Sequence, residues 1–429
     1  MPTFRGTILR MIQQGAISFS DRTGVELFAG GGGLAIGVHR AGFRPLLLNE
    51  FAKRACETLL LNVAQEYEDR EYVPDDGEPW PLIQGDVRDV KFRYLEDKVD
   101  LLAGGPPCQP FSLRGVHRGD EDERNMFPQM FRAIREIRPK AVICENVRGL
   151  LRPSFHPYFE YILRELSLPF EERRGSSWEE HDARLIRRLG EVPEDSPDRY
   201  VVTAMPVNAA DYGVPQIRHR VIIVAFRADL GIDWERFRPR PTHSETALIR
   251  SMVTGEYWER HKRVPAKVRQ AVRDRLPDPP PEDDGLLPWR TLRDAIAGLD
   301  GAPPLPPIPL DKLDRKEHNL GGFTDHIGWP GARIYAGHTP NQLDRPAKTV
   351  KAGVHGVPGG ESVMLLDDGT HRYMSVRETA RVMTFPDDWR LAGPRGEKMR
   401  QLGNAVPVKL AEVFARAVAD ALDSVEEKR

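Results

Sequence analysis

The sequence predicts an α/β fold with a mostly parallel sheet, accompanied by a smaller irregular domain. Short apolar runs alternate with segments of helical apolar spacing between residues 25 and 147, which is typical of βαβ units. This alternation is lost after residue 151. Residues 228–340 are rich in Pro, Arg and Trp and have no βαβ rhythm. We therefore expect one domain from residues 1–227 and 341–429 and a second from 228–340.

Each element of the larger domain has its own signal. The first strand, VELF, ends in four glycines, and Gly42 ends the first helix. The apolar composition of KAVICENV predicts a buried strand. In order, strands are expected at 25–28, 43–50, 81–86, 99–105 and 140–147, and helices at 34–42, 51–64 and 125–138.

The remaining segments are less regular. Residues 171–198 are highly charged, which predicts a surface insertion, and residues 200–226 return to strand character around a Gly-Val-Pro turn. Helices are expected at 375–386 and 408–425. The last helix carries one apolar stripe, which we expect to pack on the larger domain. The stripe is Leu410, Val413, Phe414, Ala417, Val418 and Leu422.

Composition limits the class of protein. The 62 Lys and Arg nearly balance 64 Asp and Glu, but residues 217–275 hold 14 basic and 7 acidic residues, a segregation that predicts a basic face. Three distant cysteines are too few for a disulfide framework or a zinc site. With no long apolar run or signal peptide, we expect a soluble cytoplasmic protein without a metal or a membrane partner.

A glycine loop after the first strand predicts a nucleotide site. Residues 30–33 let the backbone approach a ligand closely. Glu50 ends the next strand and can accept hydrogen bonds from ribose hydroxyls, and Asp86 ends the third strand and can accept from an adenine amino group. A nicotinamide dehydrogenase would show nearly the same features, although the loop lacks a GxGxxG frame in the usual register.

Cys108 is the candidate nucleophile. It lies in GGPPCQPFS, directly after the apolar run VDLLA, so its thiol is expected at the carboxyl end of a parallel strand, where ligands of such folds bind. The flanking prolines stiffen the loop, and cysteine is intrinsically very nucleophilic. Cys56 and Cys144 fall inside a helix and a strand, and we interpret both as buried and inert.

Two further features point to the same end of the sheet. Glu145 ends the strand expected beside that of Cys108. In QIRHR, Arg218 and Arg220 are expected on one face of a strand, where they are either solvated or hold an oxyanion or phosphates.

These segments together resemble a known family. They are LFAGGGG, NE (49–50), GD (85–86), GGPPCQPFS, ENV (145–147), QIRHR, RPAKTV (345–350) and QLGNAVP (401–407). Their identity and order are similar to the motif set of the cytosine-C5 DNA methyltransferases of bacterial type. The resemblance covers about residues 1–227 and 341–425, and residues 228–340 fall where that family keeps its variable target-recognition domain. It implies a Rossmann-like S-adenosylmethionine-dependent methyltransferase domain.

The resemblance also implies a reaction on double-stranded DNA. Cys108 would add to C6 of a cytosine, which must be flipped out of the stack. Glu145 would act on N3, Arg220 would stabilise charge at O2, and Arg218 would support it. C5 would take the methyl group of S-adenosylmethionine, with S-adenosylhomocysteine as product. His219 departs from the family, which often has an acid there.

The family's contacts carry over onto matching positions. The implied cofactor residues are Phe28, Ala29, Gly30, Gly31, Gly32, Gly33, Glu50, Phe51, Asp86, Val87, Pro107, Met126 and Asn404. The implied DNA contacts are Gln109, Ser112 and Arg114. Residues 217–275 would contact phosphates, and residues 228–340 would read sequence. The tryptophans of that region are interpreted as core residues: Trp234, Trp258, Trp289 and Trp329.

Three alternatives remain open beside an active DNA methyltransferase. A silent DNA-binding relative is disfavoured by the intact Cys108, Glu145 and Arg220. A relative that methylates tRNA is disfavoured by the large, basic recognition region, and a nicotinamide dehydrogenase would have no use for the cysteine loop. We expect a monomer of a bacterial or phage cytoplasm, acting in restriction-modification or alone, with a cognate restriction endonuclease as a possible partner.

Overall fold

A computed structural model of the protein describes residues 22–107, 125–334, 336–352 and 362–426. These residues divide into two compact units. The first combines the chain up to Val207 with His219–Pro239 and the chain from Ala411 onward, and the second combines Asn208–Arg218 with Arg240–Leu410. The recognition role of residues 228–340 stays a prediction.

The first unit contains the predicted, mostly parallel sheet. Its eight strands lie in the order β3-β4-β2-β1-β5-β6-β8-β7. Neighbours from β3 to β6 pair in parallel, whereas β6 and β8 are antiparallel. The strands are β1 Thr23–Leu27, β2 Arg44–Glu50, β3 Ala64–Gln65, β4 Trp80–Gln84, β5 Leu101–Gly104, β6 Ala141–Val147, β7 Tyr200–Asn208 and β8 His219–Arg227. The fold is Rossmann-like α/β, as the sequence predicts.

Helices connect these strands. They are α1 Gly33–Arg40, α2 Lys53–Asn62, α3 Phe127–Ile137, α4 His156–Ser167 and α5 Trp178–Leu189. In α3, residues Met130, Ile134 and Ile137 recur at helical spacing and are fully buried. Pro128 lies in the first turn of α3, where its missing N–H removes no intrahelical bond. The local patterns therefore account for each helix.

The segment at 171–198 is more than a charged surface insertion, so that expectation was incomplete. It contains α5, which begins with a capping box between Ser177 and Glu180. His181 and Leu185, four residues apart, are fully buried on its inner face. Trp178 packs edge-on against Tyr158 of α4, with the ring centroids 5.4 Å apart. The abundant charges of the segment obscured this narrow apolar face.

Truncation of α5 tests whether this inserted helix contributes to stability. We expect Leu185→Ala to lower the free energy of unfolding by about 2–5 kcal/mol, because it leaves a cavity in a closed core. The adjacent Ile186→Ala is the matched control, because that side chain is 55% exposed and its loss changes stability by about 0.5 kcal/mol or less. Urea unfolding of both variants measures the difference, and equal midpoints would contradict a packed α5.

The second unit is built from short elements. Its strands are β9 His243–Ser244, β10 Leu287–Pro288, β11 Asn341–Gln342, β12 Val363–Leu365 and β13 His371–Tyr373. Its helices are α6 Glu245–Thr254, α7 Glu256–Arg260, α8 Ala266–Arg273, α9 Leu292–Ala297, α10 Val376–Val382 and α11 Arg395–Asn404. Tyr257 lies in its core and donates to Asp344 Oδ1 at 2.8 Å. The sequence predicts irregular structure for residues 228–340; the second unit also holds residues 341–410.

Burial supports the interpretation of the tryptophans as core residues. Trp258 and Trp289 are buried in the second unit, and Trp234 is buried in the first. Trp329 is half-buried, and the guanidinium carbons of Arg315 and Arg395 lie 4.9 and 5.0 Å from its ring centroid.

The long C-terminal helix, α12 Val408–Glu426, belongs to the first unit from Ala411 onward. Of its predicted stripe, Phe414, Val418 and Leu422 are buried. Arg416 donates to the carbonyl of Arg40 at 3.2 Å. These contacts agree with the predicted packing of this helix on the larger domain. Across the described ranges, no helix is long and apolar enough to cross a bilayer.

Candidate functional site

Three strand ends of the first unit meet at one edge of the sheet. Leu27 of β1 pairs with Gly104 of β5, and Gly104 pairs with Cys144 of β6. The glycine turn that follows β1, the chain that follows β5, and Glu145 therefore emerge side by side at the carboxyl ends of parallel strands. Ligands of open α/β sheets bind at this edge. Glu145 follows the residue of β6 that pairs with the end of β5; its predicted position beside Cys108 stays a prediction, because Cys108 lies outside the described residues.

The start of the cysteine segment is tightly enclosed. A Cβ on Gly104 would lie 2.9 Å from Met130 Sδ and 3.1 Å from the carbonyl of Leu27, so a side chain there would require these neighbours to shift. A Cβ on Gly105 would lie 3.5 Å from Glu145 Oε2, which places the carboxylate beside this backbone. Cys108, Gln109, Ser112 and Arg114 lie outside the described residues, and Pro107 is the last described residue before them.

Asn146 is a positioning residue that the sequence analysis did not assign. Its side chain is almost fully buried, and Nδ2 donates to the carbonyl of Pro106 at 3.3 Å. The bond ties the end of β6 to the segment that leads into Cys108. Its position directly after Glu145 in the motif ENV is the sequence feature that could have indicated this role.

Glu145 and Arg220 form a buried ion pair. Glu145 is 8% exposed, and Arg220 Nε lies 2.6 Å from Glu145 Oε1. The contact is close, but its angle does not make an aligned hydrogen bond. Arg220 enters the pair from β8, where it is opposite Val147 of β6. The arginine charge offsets the cost of burying this carboxylate and leaves Oε2 beside Gly105.

Arg218 occupies a different environment from the one expected. Strand β8 begins at His219, so Arg218 precedes the strand and does not share a strand face with Arg220. Its guanidinium is fully buried within the second unit. It donates to the main-chain carbonyls of Val350 at 3.0 Å, Gly403 at 2.8 Å and Ala405 at 2.9 Å. The chain turn before β8 redirects this side chain, which strand alternation alone does not predict.

These bonds predict a large stability effect. We expect Arg218→Ala to reduce the free energy of unfolding by about 3 kcal/mol or more, because buried carbonyls lose their donors. Arg187→Ala is the control, since Arg187 is exposed and its truncation changes stability by about 0.5 kcal/mol or less. Urea unfolding measures both. An Arg218→Ala variant as stable as the control would show that the carbonyls find other donors.

The glycine turn is tied to the end of β2. The backbone N–H of Gly30 donates to Glu50 Oε2 at 2.7 Å, and that of Ala52 donates to Oε1 at 2.6 Å. Gly30 has a φ of +54° and Phe28 a φ of +59°, so the chain turns sharply after β1. Burial raises the pKa of Glu50, and the two backbone donors partly offset this. Glu50 is therefore a buried acceptor that shapes the turn.

Asn49 and Glu26 were missed by the sequence analysis. Asn49 is buried, its carbonyl accepts from Ala29 N at 3.1 Å, and its Nδ2 donates to the carbonyl of Ile83 at 3.0 Å. Glu26 of β1 is also buried, and burial raises its pKa well above the usual range. Among the residues that the structure describes, neither Glu26 nor Glu50 forms an ion pair with a basic side chain. The raised pKa of Glu26 favours the neutral, protonated form of its carboxyl group.

The other predicted cofactor residues differ in their exposure. Phe51 is 73% exposed beside Glu50, which leaves an aromatic face open. Asp86 forms an ion pair with Arg88, in which Asp86 Oδ2 lies 2.6 Å from Arg88 Nη2, and this arginine lowers the pKa of Asp86. Gly31, Gly32, Gly33 and Val87 are buried, Met126 is half-buried, and Pro107 and Asn404 are exposed; Asn404 belongs to the second unit.

The two described cysteines are unsuited to nucleophilic chemistry. Cys56 and Cys144 are both fully buried, and burial raises the pKa of each thiol to about 12. Neither forms a thiolate readily at neutral pH, which confirms their interpretation as inert. In the ranges that the structure covers, no group of three His, Cys, Asp or Glu side chains is arranged to hold a metal ion.

Known proteins share this sequence pattern and fold. The C-5 cytosine-specific DNA methylase family matches residues 23–168 and 195–420. The chain is 32% identical over 420 residues to Type II methyltransferase M.Eco47II of Escherichia coli, covering 96% of this chain and 82% of that protein. It is 30% identical over 410 residues to Type II methyltransferase M.PspPI of Psychrobacter sp., covering 93% and 79%.

Solved structures agree at the level of the fold. Spodoptera frugiperda DNMT2 superposes with a TM-score of 0.51 at 14% identity, covering 93% of this chain and 99% of that one. The S. pombe Dnmt2 methyltransferase has a TM-score of 0.50 at 15% identity, covering 94% and 99%. With the family match spanning most of both units, the chain belongs to the C-5 cytosine-specific DNA methylase family.

Proposed function

We propose that this enzyme transfers a methyl group to C5 of a flipped cytosine in a specific duplex DNA sequence, through a covalent bond between Cys108 and C6. The observation that carries the proposal is the enclosed carboxylate of Glu145 beside Gly105, at the entrance to the segment that holds Cys108. A thiolate and a carboxyl group at one strand edge suit addition to a pyrimidine ring. Membership of the methylase family supports the same reaction.

The residues divide the work of the addition step. Attack of the Cys108 thiolate on C6 pushes electrons toward C5 and the ring carbonyl. Glu145 holds N3 and supplies a proton or hydrogen bond there, while Arg220, its ion-pair partner, stabilises negative charge at O2. After C5 has gained the methyl group, it loses its proton to water, and the electron pair expels Cys108 as a thiolate. Flipping the cytosine out of the helix stack opens both faces of its ring, so C5 and C6 become accessible to the reacting groups.

Arg218 contributes by positioning. Its three bonds to main-chain carbonyls hold the backbone at 350 and at 403–405 in the second unit. Residues 345–350 and 401–407 carry two of the family motifs. We assign Arg218 to the support of these segments, which differs from the electrostatic role at O2 that the resemblance implies.

The edge of the first unit fits S-adenosylmethionine. When bound, this cofactor supplies the electrophilic methyl group. Glu50 offers a buried carboxyl group at the end of β2, which can accept hydrogen bonds from the ribose hydroxyls of this ligand. Phe51 offers an exposed ring for stacking. The turn at Gly30 has room beside it, since a Cβ there meets no atom closer than 4.0 Å.

A labelled-methyl assay tests the proposal directly. The protein is incubated with methyl-labelled S-adenosylmethionine and either mixed-sequence duplex DNA or tRNA, and the nucleosides are analysed. We expect label in 5-methylcytosine from DNA. Label only in tRNA would favour the RNA-methylating alternative, and DNA binding without transfer would favour a silent relative. Sequencing of 5-methylcytosine in the DNA of expressing cells then gives the target, and a role in restriction-modification follows if a nuclease cuts the same sequence.

A further inference from the structure

The basic residues of 217–275 are not equivalent in the structure. Several of their charges are already engaged: Arg220 pairs with Glu145, Arg227 with Asp229 and Arg260 with Asp294. A group at 262–275 differs. Among the described residues, Arg263, Lys267, Arg273 and Arg275 form no hydrogen bond or ion pair through their side chains. Arg236 and Arg240 are also exposed without such a partner in the described chain, so four of the six unpaired cations of the stretch lie between residues 263 and 275.

This segment centres on α8. Residues 262–275 contain six basic residues and one acid. Lys267 and Arg273 are exposed on the helix and lie six positions apart, about 9 Å along its axis. Lys262 and Arg263 precede the helix and Arg275 follows it, and all three are exposed. Lys262 pairs with Glu259, with Nζ 3.4 Å from Oε2. We call the four unpaired side chains, Arg263, Lys267, Arg273 and Arg275, the α8 patch.

The helix that carries the patch is anchored. Val268, Val272 and Leu276, spaced by four, pack on a cluster that includes Tyr257 and Trp258. This contact uses the apolar side of α8. Lys267 and Arg273 flank that side and lie about 120° apart around the helix axis, both exposed to solvent. Arg269 turns back and donates to the carbonyl of Val264 at 2.8 Å. The α8 patch is therefore presented by a fixed helix.

We propose that the α8 patch contacts the phosphate backbone of double-stranded DNA and holds the duplex without reading its sequence. The inference rests on the proposed function, which makes duplex DNA the substrate. Duplex DNA carries one negative charge per about 1.7 Å of its axis. Exposed cations without acidic partners match that charge density, whereas the paired arginines of the same stretch do not.

A membrane surface is the other polyanion to consider, and the patch suits it less well. Interfacial helices place an apolar face in the lipid. The apolar face of α8 is used by its own core, and no large apolar side chain is exposed between residues 240 and 286.

Salt-dependent binding tests the inference. The variant Lys267→Gln/Arg273→Gln/Arg275→Gln is compared with the wild-type protein on a fluorescent mixed-sequence duplex between about 50 and 200 mM NaCl. Each lost phosphate contact reduces the slope of log K against log salt by about 0.9. We expect the slope to fall by about 2–3 and the affinity to fall at least tenfold at about 100 mM salt.

The control removes the same charge elsewhere. Lys91, Arg93 and Arg187 are exposed in the first unit, and Lys91→Gln/Arg93→Gln/Arg187→Gln is expected to keep the wild-type slope. Equal slopes for the patch variant and the wild type, or equal losses in both variants, overturn the inference. Patch-dependent binding to phosphatidylserine vesicles with an unchanged DNA slope overturns it in favour of a membrane. If the patch variant lowers the slope of log K against log salt but the wild-type protein forms no 5-methylcytosine, the inference about the α8 patch stands and the proposed reaction is rejected.

Discussion

Cys108→Ala is expected to abolish methyl transfer, with a rate at least about 1,000-fold below that of the wild type, because the addition step has no other nucleophile. Binding of S-adenosylmethionine, measured by calorimetry, is expected to stay within a fewfold of the wild type. Duplex DNA made with 5-fluorocytosine gives a second readout. With fluorine at C5 there is no proton for C5 to lose after methyl transfer, so Cys108 cannot be expelled. The wild-type enzyme should therefore remain bonded to the DNA on a denaturing gel, and the variant should not.

Cys144→Ala is the matched control for this experiment. It removes a fully buried thiol from the middle of β6, and we expect activity and the fluorocytosine adduct to persist. If Cys108→Ala retained transfer while Cys144→Ala lost it, the nucleophile would be wrongly assigned. If both variants retained full transfer, the covalent mechanism itself would be wrong.

Glu145→Gln is expected to slow methyl transfer by about 100- to 10,000-fold, the range over which a positioned proton donor contributes. The amide is nearly isosteric and can stay near Arg220, but it cannot donate a carboxyl proton to N3. Adduct formation with 5-fluorocytosine DNA should slow by a similar factor, because Glu145 acts during the addition of Cys108. Cofactor affinity should change little. This combination separates a chemical role from a general loss of structure.

Glu165→Gln provides the comparison for Glu145→Gln. Glu165 is also a buried carboxyl of the first unit, on α4 at 5% exposure, and it has no place in the proposed reaction. We expect its methylation rate to stay within a fewfold of the wild type. A Glu145→Gln enzyme with normal adduct formation and normal transfer would remove Glu145 from the mechanism. Equal losses in both variants would instead indicate that burial of a carboxyl group, and not its position, matters.

The strands of the sheet could be predicted from the sequence because the patterns that mark them are local. Apolar runs that end in glycine or an acid mark β1, β2 and β5, and each lies within two residues of its expected bounds. The α5 segment was harder, since His181 and Leu185 provide only two fully buried positions within a highly charged stretch. Such a narrow apolar face is recognised only when its packing partner is known. For α5 that partner includes Tyr158 of α4, which the sequence of the segment does not indicate.

The candidate site was predictable in part for the same reason. Glu145 follows β6 directly, so parallel pairing with β5 places it beside Gly105. Arg218 was not predictable in this way. A turn before β8 separates it from Arg220, and its partners are carbonyls more than a hundred residues away along the chain. Alternation along a strand applies only where the strand has begun.

The sequence by itself determined the family, the strand that leads toward the Cys108 segment, and the acid on the neighbouring strand, because these depend on ordered motifs and on local strand geometry. Only the tertiary structure decided which charges are free. Arg220, Arg227 and Arg260 have acidic partners, whereas Lys267 and Arg273 do not. A basic residue has the same charge in either setting, and the partner that neutralises it is brought near only by the folded chain.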